Sequence, residues 1–186
     1  PGLVLRLVDQ RDPTDLWEET FQHKGGISEY ATHLNDGQVI GSVIRLFGSG
    51  HFAETVPVLD DQGHMTSQEV QRELAVDIAL QWNTGYESIL RSFVNVIATP
   101  QGGTHVVGLE RALTKVFNEY LKNAKILKSS EDSVTKEDLS EGLTAVVAIR
   151  LAEPQFEGQT KEVLGTPAAT RIVSAVVAKE MAKCKL

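Results

Sequence analysis

From Leu74 to Trp82 the side chains Leu74, Val76, Ile78, Leu80 and Trp82 fall on every second position, with Ala75, Asp77, Ala79 and Gln81 between them. A period of two sustained over that length predicts a β-strand with one buried face and leaves no helical reading of the segment. A second run, Ala145-Val146-Val147-Ala148-Ile149 within Gly142–Leu151, has no polar position at all, which suits a central strand buried on both faces. A sheet containing both must be covered. Two amphipathic segments can do it: a helix with the stripe Leu109, Ala112, Leu113, Val116, Tyr120 and Leu121, and a second carrying Ile172, Val173, Val176, Val177 and Met181. Thr166-Pro167 reads as N-cap and first-turn proline of the latter, and Lys179, Lys183 and Lys185 suit its negative end.

The remaining elements follow from turn chemistry. Leu3–Val8 reads as a strand and Asp9–Pro13 as a polar linker; Gly25-Gly26 opens a short helix with Ile27, Tyr30, Ala31 and Leu34 on one face, stopped by Asn35-Asp36-Gly37. Residues 38–59 are expected to be two strands joined at Gly48-Ser49-Gly50, and Asn83-Thr84-Gly85 the turn of a hairpin that returns as Ser88–Ile97. Lys125–Ser133 is a polar loop, Thr135 and Asp138 resemble a capping box, and 152–165 is a loop before the last helix. Together these give a mixed sheet with helices on one face, a two-layer α/β sandwich.

Composition narrows the chemistry. With 186 residues, 41% apolar and 23% charged, the chain can bury a core without staples. Cys184 is the only cysteine, so internal disulfides and cysteine metal sites are excluded, and a reducing compartment, the cytoplasm by default, is expected. No run reaches the roughly 18 apolar residues of a membrane span, and no signal-peptide pattern is present. A start at Pro1 that runs at once into a strand reads as a piece of something longer. The net charge of −7 repels nucleic acid at long range, so any such contact must be local. Residues 111 to 128, with Arg111, Lys115, Lys122, Lys125 and Lys128 against Glu119, are the best candidate, either touching a phosphate backbone or forming a solvated helix face.

Several enzyme classes lack their residues. His23, His33, His51, His64 and His105 show no metal-ligand spacing, and neither a Gly-x-Ser-x-Gly elbow nor a phosphate loop occurs. Gly48-Ser49-Gly50-His51-Phe52-Ala53 matches a dinucleotide fingerprint, but Glu54-Thr55-Val56-Pro57-Val58 after it cannot start the helix that fingerprint needs, and a hairpin turn is the better reading. The loop Pro154-Gln155-Phe156-Glu157-Gly158-Gln159-Thr160-Lys161 lies beyond the most buried strand, where an amide and an ammonium can reach an anion held by another domain. By themselves Gln159, Thr160 and Lys161 are three common residues and read as solvated loop side chains.

Four strings in order carry a resemblance: Ile78-Ala79-Leu80-Gln81-Trp82-Asn83 with Gly85-Tyr86, Gly102-Gly103-Thr104-His105 with Gly108, Glu141-Gly142-Leu143-Thr144-Ala145-Val146-Val147, and Pro154 to Lys161. Over residues 20–186 the chain resembles the transducer domain of the B subunit of bacterial type IIA topoisomerases, DNA gyrase and topoisomerase IV, and residues 1–19 resemble the end of the preceding ATP-binding domain and its linker. The resemblance implies a fold like domain 2 of ribosomal protein S5 with a left-handed βαβ crossover, and roles for Lys161 and Gln159 on the terminal phosphate of ATP bound next door. It implies an ATP-hydrolysing enzyme of the cytoplasm and nucleoid, with ATP and magnesium in the whole enzyme, and DNA, the A subunit and a second B subunit as partners. This stretch alone is expected to be inactive, because the family's catalytic glutamate and magnesium-binding asparagine fall upstream of Pro1. The longer hairpin over residues 50–72 resembles topoisomerase IV more than gyrase. Glu110 departs from a family arginine that faces DNA, a role Arg111 and Lys115 can fill. An RNA- or client-binding S5-like domain and a dehydrogenase are the competing expectations.

Overall fold

A computed structural model of the chain describes residues 2–12, 16–59, 62–127 and 133–184; Lys128 and Lys185, with most of the polar loop 125–133, lie outside them. Strands β1 (Val4–Asp9) and β2 (Trp17–Gln22) pair as an antiparallel ribbon, followed by α1 (Ile27–Leu34). Then come β3 (Val39–Leu59), β4 (Met65–Asn83), β5 (Ile89–Val94), β6 (Ile97–Ala98), α2 (Thr104–Asn123), α3 (Lys136–Ser140) and β7 (Leu143–Leu151). A small ribbon of β8 (Phe156–Glu157) and β9 (Val163–Leu164) leads to α4 (Ala168–Met181).

The main sheet has the order β3-β4-β7-β5-β6. β7 pairs antiparallel with β4, from Leu74↔Leu151 to Trp82↔Leu143, and parallel with β5, so β5-α2-α3-β7 is a crossover between parallel neighbours. The all-apolar run 145–149 therefore takes the central place expected of it. The predicted hairpin between β4 and the Ser88–Ile97 segment does not form, because β7 occupies the position between them. Asn83 directs this locally: its Oδ1 accepts the Gly85 amide at 2.7 Å, closing a turn on itself, while its backbone amide donates to the Gly142 carbonyl at 2.9 Å and so seats the start of β7.

Alternation along β4 and β7 sorts the two faces. Ile78, Leu80, Ala145, Val147 and Ile149 pack with Leu109 and Leu113 of α2 and Ile172, Val173 and Val177 of α4. On the opposite face Ala79 and Val146 meet Ala31 of α1, so the expected two-layer sandwich gains a partial third layer.

Two local readings are corrected. Residues 39–59 are one strand rather than two joined at the glycines, and no turn forms at Gly48-Ser49-Gly50. Those glycines clear a path for α4: a Cβ on Gly48 would lie 3.1 Å from Val176 Cγ1, and one on Gly50 2.9 Å from Ile172 Cγ2. Thr166 does not cap α4 through its side chain, since its Oγ1 accepts the Gln155 amide at 3.0 Å. The capping box of α3 does form: Thr135 Oγ1 accepts the Asp138 amide at 3.2 Å, and the Asp138 carboxylate accepts the Thr135 amide at 2.7 Å. The hydrogen bonds that Thr135 donates, from its amide and then its hydroxyl, hold the Asp138 carboxyl below its ordinary range.

Candidate functional site

The expected loop 152–165 is a hairpin, with Gln159, Thr160 and Lys161 exposed at its tip between β8 and β9. Gly158 turns the chain at φ 81°, and Lys161 itself takes a left-handed φ of 57°. That conformation costs a side-chain-bearing residue about 1 kcal/mol. The Lys161 ammonium lies 6.0 Å from the centre of the Phe156 ring, a weak cation–π contact at an exposed site, and meets no carboxylate among the described residues. It is thus a lightly tethered cation beside an exposed amide, free to engage an anion.

The base of the hairpin is held much more firmly than its tip. The Leu164 amide donates to the Gly102 carbonyl at 3.0 Å, the Gln101 amide donates to the Glu162 carbonyl at 3.3 Å, and Gln101 Nε2 donates to Glu162 Oε2 at 2.7 Å. Gly103 runs beside Leu164 at φ 127°, where any Cβ would collide with the Leu164 backbone. Gly102 and Gly103 precede α2 directly, so the hairpin is stapled to the start of that helix. Thr104 Oγ1 donates to the Thr166 carbonyl at 2.8 Å, Thr170 Oγ1 returns a bond to the Thr104 carbonyl at 2.9 Å, and Ser174 Oγ donates to the Gly108 carbonyl at 2.8 Å. Gly108 permits that close approach of α2 and α4: a Cβ there would stand 2.7 Å from the Thr170 carbonyl oxygen. Backbone and side-chain hydrogen bonds thus tie the hairpin to α2 and α2 to α4. In the sequence Gly102, Gly103, Thr104 and Gly108 form a motif without a role; a double glycine at a helix start and a glycine within an apolar stripe are the signals that two backbones touch there.

His105 sits behind this junction, wholly buried, with Nε2 3.3 Å from Thr99 Oγ1, which in turn meets Ser92 Oγ at 2.8 Å. Burial pushes its pKa from 6.5 down to about 4, so the ring is neutral.

Farther along α2, Arg111 and Lys115 lie one turn apart on its outer side. With Asn118, Lys122 and Lys136 they line an open groove of about 650 Å³ whose acidic members are Glu110 and Glu119. Lys115 lies 3.8 Å from Glu119, and Glu110 is engaged by Lys136 at 3.0 Å, tying α3 to α2. The structure brings Arg111 and Lys115 together but keeps them apart from Lys161: seven residues of helical rise put Arg111 about 10 Å along the axis from Thr104. One helix thus carries the hairpin staple at its start and the basic pair along its length. Among the described residues no three acidic, histidine or cysteine side chains cluster as a metal site, and no helix is long and apolar enough to cross a membrane.

Comparison with known proteins matches residues 26–184 to the DNA gyrase B family. The chain is 35% identical over 191 residues to the DNA gyrase B protein of Streptomyces coelicolor, covering 95% of this chain and 26% of that protein. It is 38% identical over 173 residues to the DNA gyrase B protein of Streptococcus pyogenes, covering 93% and 24%. It therefore spans about a quarter of the length of these relatives. Among solved structures, the 43K ATPase domain of Thermus thermophilus gyrase B in complex with an aminocoumarin superimposes with a TM-score of 0.72 at 29% identity, over 96% of this chain and 43% of that one. The topoisomerase IV ATP binding domain of Francisella tularensis in complex with a small molecule inhibitor gives 0.61 at 23% identity, over 89% and 39%, a likeness of fold.

Proposed function

The chain belongs to the DNA gyrase B family, and from that premise we propose that it is the transducer module of the B subunit of a type IIA topoisomerase, coupling ATP binding and hydrolysis in the preceding domain to closure of the dimer and passage of a DNA duplex. The observation that carries this reading is the exposed Gln159–Lys161 tip on a hairpin whose base is fixed to α2 and α4. Lys161 supplies a point charge to the terminal phosphate and Gln159 a directional hydrogen bond. An ammonium about 4 Å from a phosphate oxygen gains roughly 4 kcal/mol at an effective dielectric near 20, and the gain vanishes when the terminal phosphate leaves. Because the hairpin, α2 and α4 are tied together, gain or loss of that contact turns the whole module relative to the nucleotide domain.

The rest of the enzyme is arranged around this contact. Residues 1–19 are taken as the end of the ATP-binding domain; the ribbon exposes Leu3, Val4, Leu5, Leu7, Val8, Leu16 and Trp17, as strands that belong to another sheet would. Magnesium is assigned to the preceding domain, and the described residues of this chain contribute an ammonium and an amide to the nucleotide site; this stretch alone hydrolyses nothing. Arg111 and Lys115 offer the local positive face for DNA that a net charge of −7 requires. The A subunit, a second B subunit and a cytoplasmic, nucleoid-associated setting complete the reading. The long β3–β4 hairpin favours topoisomerase IV and the names of the relatives favour gyrase; supercoiling and decatenation assays of the reconstituted enzyme separate the two.

The test is Lys161→Ala in the full-length protein. Removal of one preorganised donor from the transition state is expected to lower the ATP turnover number about 100-fold. Turnover at the wild-type rate contradicts the proposal.

A further inference from the structure

β3 and β4 run on past the rest of the sheet. β7 pairs with β4 only between Leu74 and Trp82, so residues 51–59 and 65–73 form a two-stranded arm with no third strand among the described residues. A lone pair of strands is marginal in water, and its anchorage decides where it points. Near the sheet, Phe52 packs against the main core and the His51 carbonyl accepts Arg171 Nη2 at 3.2 Å. Beyond them Glu54 of β3 and Arg72 of β4 meet at 3.2 Å with only 18% and 19% of their side chains exposed. The same guanidinium reaches Glu153 at 2.8 Å, and the other oxygen of Glu54 accepts Gln155 Nε2 at 3.2 Å. Glu153 and Gln155 flank Pro154 on the segment that leads into β8, and Glu153 holds a left-handed φ of 53°. The hairpin therefore has two anchored legs: β9 on the Gly102–Gly103 backbone, and the start of β8 on the arm.

We infer that Glu54 and Arg72 form a positioning clamp for the hairpin that carries Gln159 and Lys161, which makes the arm an input to the phosphate contact. This rests on the function proposed above. Neither residue touches nucleotide; they act through Gln155 and Glu153 by fixing the β8 leg, so that less freedom is lost when the tip engages. With the clamp broken, the leg swings on its remaining anchors, and only the part of binding that depends on the terminal phosphate suffers.

The experiment measures, in the full-length protein, the preference for a non-hydrolysable ATP analogue over ADP in wild type, Glu54→Ala, Arg72→Met, Arg72→Lys and Lys161→Ala. Loss of one charge-assisted tie is expected to cut the preference about fivefold in Glu54→Ala and Arg72→Met, with ADP affinity unchanged and partial recovery in Arg72→Lys. An unaltered preference in the first two alongside a reduced one in Lys161→Ala overturns the clamp and leaves the proposed function standing. An unaltered preference in Lys161→Ala overturns both. Should the arm variants fail to fold, the double variant Glu153→Ala with Gln155→Ala removes both ties from exposed side chains of the hairpin segment; a reduced preference there supports the clamp and an unaltered one overturns it.

Discussion

His105 has no accessible surface, and among the described residues Nε2 alone of its ring nitrogens finds a partner, Thr99. Its depressed pKa makes it a liability in acid. Between the unfolded value of 6.5 and the folded value of about 4 the unfolded chain takes up a proton that the folded one refuses, so stability falls as pH drops through that window. The loss attributable to this ring approaches roughly 3 kcal/mol. Urea unfolding at about pH 7 and about pH 4.5, either side of most of that titration, should therefore show a shallower loss in His105→Phe than in wild type, the carboxylates contributing equally to both. Identical losses would mean the ring does not stay neutral. At this scale the sequence is a poor guide to partners. Thr166 precedes a proline at a helix start and reads as a cap, yet its hydroxyl serves Gln155 across a chain reversal, and nothing local distinguishes the two uses. The reading of Lys161 as a phosphate contact comes only from the family resemblance and stands as a proposal, because an exposed lysine in a loop is otherwise ordinary.

The helices and the buried strands are legible because burial imposes a period on them. α1 begins and ends where its glycines and Asn35 predict, α3 has its capping box, and α4 buries the stripe expected of it, whereas α2 buries Leu109, Ala112 and Leu113 of its stripe, leaves Val116 and Leu121 half-buried and exposes Tyr120. The failures come where glycine has two meanings. At Gly48 and Gly50 it marks a strand that a helix crosses at close range, and the same residues in sequence spell a turn. Gly108 makes the point testable. A methyl group there would stand 2.7 Å from the Thr170 carbonyl oxygen and 3.1 Å from Val173 Cβ, so α2 and α4 must separate. Gly108→Ala is expected to lower stability by about 2 kcal/mol despite the better helix propensity of alanine. Denaturant unfolding checks this, and a variant as stable as wild type would show that the two helices are not held at contact distance.

At the scale of the molecule, local pattern does not say which strands are neighbours. The alternation of β4 fits β5 or β7 equally well; the insertion of β7 between them is decided by the need to cover both faces of an all-apolar strand and by the long crossover through α2 and α3. That topology brings the ends of three distant segments to one place: the hairpin 154–165, the Gly102–Gly103 start of α2 and the arm of β3 and β4. It leaves a lightly held cation at the outer end of a hydrogen-bonded assembly. As proposed above, this cation senses the terminal phosphate of a nucleotide bound by the neighbouring domain. A crystal structure of the full-length protein with a non-hydrolysable ATP analogue tests it most directly. In that structure Lys161 is expected to leave the face of Phe156 and place Nζ within about 3 Å of a terminal phosphate oxygen; a Lys161 still lying over Phe156 with its ammonium in water would overturn the proposal.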